Sequence, residues 1–428
     1  ARQAVPRADG ERVAATVEAA LGVAYYPEQR GAIRALAEGP ALVVTGGPGT
    51  GKSTVVAGLI QAATEVRGGP ARVLLCAPTA RAADRLREVS GLPAYTIHRL
   101  LRWAPGERQP EFGPHRPLPG DLLIVDETSM LDLRLACLLL EAVPDGMRVV
   151  LVGDADQLPA VGPGKFFGDV IESGVWPVER LRYNVRQADA TALARITQTI
   201  LRAQRPPARQ EGWCWEDVSE PEEALECILV WVDRQLEAWG DAYDRWVVLT
   251  PGRRGKLGTE TLNVRIQQHI QSRRGTAAPA VHIYGQTYAL GDPVVQTRNN
   301  YRLEVWNGER GRVVEVDSDG PAVVVEFAGR RLRYPSEDLQ DLELGYALTV
   351  HKAQGSEIPH VLVVLAPEHR LMLSRPLLFT AVSRARESCT LVAPDEAVAR
   401  ALAVSSAASR FSGLPRALQR VEALTGRI

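Results

Sequence analysis

The stretch Gly46-Gly47-Pro48-Gly49-Thr50-Gly51-Lys52-Ser53-Thr54 limits what this chain can fold into more than any other. It matches G-x-x-x-x-G-K-[ST] and stands between the apolar run Ala41-Leu42-Val43-Val44-Thr45 and the helical pattern KSTVVAGLIQAATEV. That strand–loop–helix setting is the one a phosphate-binding loop requires. Its glycines let backbone N–H groups turn toward phosphate oxygens, and the N-terminus of the next helix adds positive potential. In such a loop Gly47, Gly49, Thr50, Gly51 and Thr54 belong to the cradle, Lys52 reaches the β and γ phosphates, and Ser53 ligates Mg²⁺. A nucleoside triphosphate is the expected ligand.

Strand-like and helix-like segments continue to alternate: RVLLCAPT then ARAADRLREV, DLLIVDE then LDLRLACLLLEAV, and RVVLVGD. This rhythm predicts a parallel sheet covered by helices on both faces. A second set follows, with RWVVLTP, HVLVVLAP and SCTLVAP as strands and TLNVRIQQHI and LLFTAVSRAR as helices. At 428 residues the chain exceeds one ordinary core. Two α/β domains are expected, 1–180 and 181–428. Residues 103–120 carry five prolines and cannot form a long helix. Residues 300–341 read as short strands with tight turns, a small β-barrel inserted in the second domain.

A net charge of −1 gives no global attraction to polyanions, so any nucleic-acid surface must be local. Only four of the 50 basic residues are lysine: Lys52, Lys165, Lys256 and Lys352. Lysine is a compact ammonium and arginine a planar fork, so lysines that persist against this bias are candidates for sites where the fork does not fit. The five cysteines are scattered, with no C-x-x-C pair, which predicts free thiols and no zinc or iron–sulfur centre. No run of eighteen apolar residues and no signal-peptide pattern occurs, so a cytoplasmic protein is expected.

Asp126 and Glu127 end the strand DLLIVDE. Acidic pairs at strand ends are common, but downstream of a P-loop Asp126 is placed to hold Mg²⁺ and Glu127 to orient or deprotonate an attacking water. Gln157, in VGDADQLP after the next strand, is a candidate sensor of the γ-phosphate.

GGPGTGKST, IVDETSM, VGDADQLP, LRYNVRQ, ALTVHKAQGSE and FTAVSRARE stand in the order of the superfamily 1 helicase motifs. The chain resembles the RecD-like branch of that superfamily from Tyr26 onward. The resemblance implies an α/β fold of two RecA-like parallel-sheet P-loop domains sharing ATP. It also implies a small hairpin insertion in the first domain and an SH3-like β-barrel insertion in the second. Gln29 would contact the adenine, and Arg186 and Arg384 would reach the γ-phosphate from the second domain. Val185 stands where the family usually has an aromatic residue. The implied activity is a monomeric, Mg²⁺-dependent ATPase moving 5′ to 3′ on single-stranded DNA and opening duplex in repair or recombination. A non-unwinding NTPase subunit of a repair complex and an RNA helicase stand as alternatives.

For the strand itself the resemblance points to Pro78, Thr79, Arg81, Thr96 and His98 in the first domain. In the second it points to Thr250, Arg253, Arg254, Asn263, Thr349, His351, Lys352, Gln354 and Ser356, with Asn300 and Tyr301 at the barrel entrance. Hydroxyls, amides and cations suit phosphates, which carry no base identity. The 103–120 segment falls where relatives place a duplex-splitting pin; either Trp103 and Phe112 stack on a terminal base pair, or the segment is a solvated loop whose Trp103 packs on the domain. Trp306 is either a base-stacking residue or barrel core, and Arg330, Arg331 and Arg333 either line a strand path or form a solvated face. Longer relatives carry N-terminal regions ahead of this point, and any protein partners are expected to bind through such a region.

Overall fold

The computed structural model describes residues 7–103, 107–182, 192–274, 278–300, 302–317, 320, 322–405 and 412–425. They fall in two compact units, Ala1–Ala190 with Ser406–Ile428, and Thr191–Ser405. Among the described residues no helix is long and apolar enough to cross a membrane.

In the first unit six strands, β1 (Ala41–Gly46), β2 (Val73–Ala77), β3 (Ala94–Thr96), β4 (Leu122–Val125), β5 (Arg148–Gly153) and β6 (Val178–Leu181), form one parallel sheet in the order β3-β2-β4-β5-β1-β6. The strands are apolar throughout because both faces are buried, and the period of two divides their side chains between two cores. Leu42, Val44, Leu122, Ile124, Val150 and Val152 pack under helices α1 (Gly10–Leu21), α2 (Pro27–Glu38), α3 (Lys52–Arg67) and α4 (Ala80–Ser90). Val43, Leu123, Val125, Val149 and Leu151 pack under α5 (Ile97–Leu100), α6 (Leu133–Glu141) and α7 (Phe166–Ser173). Each fully buried side chain of this size contributes about 1.5–3 kcal/mol.

The second unit runs through α8 (Ala192–Leu201), β7 (Arg209–Gln210), β8 (Trp213–Glu216), α9 (Pro221–Trp239), β9 (Trp246–Thr250) and α10 (Thr259–Arg274) to a hairpin of β10 (Ala280–Ile283) and β11 (Gln286–Ala289). Next come β12 (Pro293–Gln296), β13 (Arg310–Asp317), β14 (Ala322–Phe327), β15 (Arg330–Pro335) and β16 (Leu342–Leu344). These five form an antiparallel sheet in the order β15-β14-β13-β12-β16. The expected insertion at 300–341 is therefore wider, since β12 and β16 pair with each other at Val294–Leu344 and close its base. The chain then returns through β17 (Ala347–Thr349), β18 (Ile358–Val364), α11 (Arg375–Val382), β19 (Ala385–Val392) and α12 (Asp395–Ala403). The sheet β17-β9-β18-β19-β8-β7 is parallel except where β7 joins β8.

The barrel and this sheet share one core: Val294, Val325, Phe327 and Tyr334 are continuous with Trp246, Tyr346 and Leu362. Buried Asp292 ties them together, accepting from Ala289 N at 2.8 Å, from Tyr346 Oη at 2.8 Å, and from Gln267 of α10. The last helix, α13 (Leu414–Thr425), belongs with the first unit although the expected division assigned it to the second. Its Leu414 and Leu418 pack on the α7 side of the sheet, and Gln419 Nε2 donates to Ser173 O at 3.0 Å.

Candidate functional site

Carboxyl ends of parallel strands are where such sheets place ligands. In the first unit β1 runs into the P-loop there. Gly46 packs so tightly that a Cβ would stand 2.6 Å from Thr50 Oγ1 and 2.9 Å from Leu181 O. Gly49 and Gly51 take φ of 78° and 81°, the left-handed region that favours glycine. No side chain caps α3, so the first N–H groups of that helix face the loop's interior. Lys52 folds back over the loop and donates to Gly46 O at 2.6 Å and Gly47 O at 3.0 Å. Thr50 Oγ1 donates to Gly47 O at 2.9 Å, bracing the turn. Ser53 is half-buried at the first turn of α3, and Thr54 is exposed with its carbonyl accepting from Tyr25 Oη at 3.4 Å. Gln29 is buried against this loop: its Nε2 donates to Thr50 O at 3.3 Å and its Oε1 accepts from Tyr26 N at 3.2 Å.

Asp126 and Glu127 directly follow β4, two strands away in sheet order. Burial, with Glu127 alongside, pushes the Asp126 carboxyl up to about 6, while Glu127 N–H (2.8 Å), Lys52 and Arg85 pull the other way. Glu127 sits at φ 50°, a left-handed conformation that is costly for a residue with a Cβ and typical of functional turns.

After β5, which lies between β4 and β1, buried Asp154 organises the next turn. It accepts from Asp156 N at 3.1 Å and from Gln157 Nε2 at 2.9 Å, and Thr45 Oγ1 accepts from Ala155 N at 3.1 Å. Burial raises the Asp154 carboxyl and Lys52 lowers it, so one ammonium acts on both Asp126 and Asp154. Gln157 Oε1 is enclosed and has no hydrogen-bond partner among the described residues. Asp154 was in plain view in VGDADQLP, but its role in holding Gln157 is visible only in three dimensions.

Of the expected strand-contacting residues in the first unit, Thr79 caps α4 by accepting from Ala82 N (3.3 Å), and Thr96 caps α5 by accepting from Arg99 N (3.2 Å). Each hydroxyl keeps its own proton to donate. Pro78 is half-buried and Arg81 exposed. Exposed His98 stacks on Trp103, rings 5.4 Å apart, and Trp103 Nε1 donates to Glu107 O. Phe112 is not available to stack on a base pair: it is 9% exposed, lies in the core under β4, and is flanked by Arg102 and Arg116. The segment around it is closed by one antiparallel bridge, Gly113–Arg116.

In the second unit four of the expected strand contacts are buried: Thr250, Asn263, Gln354 and Ser356. Thr250 is fully buried and donates to Leu257 O at 2.8 Å. Asn263 clamps α10 to β17, donating to Ala347 O at 3.0 Å and accepting from Ala347 N at 2.8 Å. Gln354 is 7% exposed. Ser356 is buried as well.

By contrast Arg253 and Arg254 are exposed, and Thr349, His351 and Lys352 are half-buried. Thr349 Oγ1 accepts from Lys352 N at 3.2 Å. Asn300 Oδ1 closes the barrel-entrance turn by accepting from Leu303 N at 3.0 Å. Asn299 Oδ1 accepts from Asn307 N at 2.9 Å, and Trp306 is half-buried. Arg330, Arg331 and Arg333 each lie beside an acid, Glu309 (3.7 Å), Glu326 (3.8 Å) and Asp317 (2.7 Å), which makes the cluster an ion-paired barrel face.

Arg384 is 4% exposed and donates to Thr380 O (3.0 Å), Ser356 O (3.1 Å) and Ser383 Oγ (3.1 Å). Arg186, Val185 and Tyr301 lie outside the described residues. Two other persisting lysines are in ion pairs, Lys165 with Glu172 and Lys256 with Glu222, each at 2.7 Å.

A P-loop with carboxylates at the ends of adjacent parallel strands defines a nucleotide-binding protein of the P-loop class. Three family profiles match: the AAA domain over residues 24–212, the ATP-dependent RecD-like DNA helicase SH3 domain over 262–327, and the UvrD-like helicase C-terminal domain over 344–392. The chain is 39% identical over 361 residues to the ATP-dependent RecD2 DNA helicase of Deinococcus radiodurans, covering 84% of this chain and 48% of that protein. It is 35% identical over 435 residues to the RecBCD enzyme subunit RecD of Mycolicibacterium smegmatis, covering 92% of this chain and 76% of that protein. The chain thus spans about half the length of the first relative and three quarters of the second. Among solved structures, a Bacteroides Pif1 helicase in complex with ADP-AlF3 and single-stranded DNA shares the fold at a TM-score of 0.53 and 17% identity, covering 94% of this chain and 98% of that one. The chain belongs to the RecD-like family of superfamily 1 helicases.

Proposed function

We propose that this chain hydrolyses Mg²⁺-ATP to move along single-stranded DNA and to open duplex at single-strand/duplex junctions, 5′ to 3′, as a monomer in the bacterial cytoplasm, in repair or recombination. The observation that carries the reading is the set at the strand ends of the first unit: Lys52 on the P-loop, with its charge acting on both Asp126 and the Asp154 that holds Gln157. The names of the relatives support DNA unwinding, and the polarity rests on family membership alone.

Backbone N–H groups of the P-loop and the start of α3 bind the phosphates, and Lys52 leaves the loop carbonyls to meet the β and γ oxygens. Ser53 and Asp126 offer the hard oxygen donors that Mg²⁺ prefers when phosphates and water complete its shell. A bound Mg²⁺ would neutralise charge on the phosphates and offset the cost of ionising enclosed Asp126. Glu127 takes the proton of the attacking water, and Gln157, held through its amide nitrogen, presents Oε1 to orient that water.

Gln29 is proposed to reach the adenine from its place behind Thr50. Arg186 and Arg384 are proposed to stabilise charge on the γ-phosphate, which requires Arg384 to exchange its internal oxygens for phosphate. Thr79, Arg81, Thr96, His98, Arg253, Arg254, Thr349, His351, Lys352 and Asn300 are proposed to follow the DNA backbone, with Tyr301 at the barrel. Lys52→Ala should abolish ATP hydrolysis stimulated by single-stranded DNA, leaving the melting temperature within a few degrees. Turnover near the wild-type rate would reject the P-loop as the active site.

A further inference from the structure

Two of the cations assigned above to the strand surface are held by one carboxylate of the same unit. Glu343, in β16, accepts from Arg253 through Oε1 at 2.6 Å and from Lys352 Nζ through Oε2 at 2.6 Å. Arg253 follows β9 and Lys352 follows β17, so three separate segments converge on this side chain. One oxygen to each cation is the arrangement that the two non-bridging oxygens of a phosphodiester would take.

The three side chains also differ in exposure. Lys352 is 22% exposed and Glu343 32%, whereas Arg253 is 56% exposed with Glu260 a further 3.5 Å neighbour of its Nε. Lys352 is therefore the cation that Glu343 most nearly neutralises. A backbone phosphate approaching the trio meets one net positive charge instead of two, together with a carboxylate of its own sign.

We propose that Glu343 is an internal surrogate for a DNA phosphate: it occupies Lys352 and Arg253 when no strand is bound and is exchanged for a backbone phosphodiester when one is. This rests on the reading of that surface as part of the strand path. A built-in competitor weakens each grip and speeds release, which suits a protein that must let go of one phosphate to take the next.

The test is binding of a fluorescein-labelled oligothymidine to the full chain, by anisotropy across a salt series. Glu343→Gln keeps the shape and removes the charge; Glu343→Ala serves as a second variant. Both should bind several-fold more tightly than wild type, with the slope of log K against log salt steeper by about 0.7 for each cation freed. Lys352→Ala and Arg253→Ala should bind more weakly with shallower slopes, and Glu343→Gln should gain less on the Lys352→Ala background. If both Glu343 variants bind no more tightly than wild type with the slope unchanged, while the cation variants weaken binding, the carboxylate merely orients its partners and the proposal falls. If neither cation variant alters affinity or slope, the strand-path reading fails and takes the proposal with it.

Discussion

At the residue scale, the positions proposed to bind nucleotide come together because each follows an apolar strand, and a parallel sheet gathers strand ends on one edge. Lys52, Ser53, Asp126 and Gln157 sit at or just beyond β1, β4 and β5 for that reason. The strand-facing positions were less legible. Thr250 and Asn263 have the chemistry of phosphate ligands, but the same hydroxyl and amide equally satisfy buried backbone, and only packing decides between the two. Asp154 shows the opposite failure, a residue whose part appears only once Gln157 is seen to hang from it. In Asp154→Asn an amide N–H would face the Gln157 amide N–H, leaving Gln157 loose. The expected result is a fall in kcat for ATP of about 10²-fold with KM changed little. An unaltered kcat would show that Gln157 is held by other means.

At the element scale, the alternation of strands and helices forecast both parallel sheets, and the inserted barrel was visible in its short turn-bounded runs. Its limits were not, because β12 and β16 are brief segments outside 300–341 whose pairing with each other appears only in the folded sheet. The 103–120 segment was ambiguous for a related reason: prolines exclude a helix without saying whether an aromatic points inward, and Phe112 does. The joint between barrel and sheet depends on Asp292. Burial raises its carboxyl from an ordinary 3.8 to about 6, outweighing the hydrogen bonds from Ala289, Tyr346 and Gln267 and the charge of Arg274. A group that holds its proton more tightly when folded contributes stability that is complete below the unfolded value and lost as pH rises through the folded one. At about 1.4 kcal/mol per unit, wild type should lose on the order of 2–3 kcal/mol relative to Asp292→Asn between pH 4 and pH 7. Melting curves of the two proteins that stay parallel across that range would contradict this.

At the scale of the whole molecule, the sequence predicted two α/β bodies but assigned the C-terminal helix to the wrong one. The period of α13 announces an apolar face without naming its partner, and Leu414 and Leu418 find theirs on the first unit's α7-side core. The chain is proposed to act as one motor, in which a nucleotide site in the first unit and cations on the second serve a single task. Partial duplexes carrying a 5′ or a 3′ single-stranded tail, mixed with the full chain and Mg²⁺-ATP, test that most directly. Strand separation of the 5′-tailed substrate, dependent on hydrolysable ATP and lost in Lys52→Ala, is the predicted result. Opening of the 3′-tailed substrate alone would reverse the polarity, and opening of neither while DNA still stimulates hydrolysis would contradict the motor.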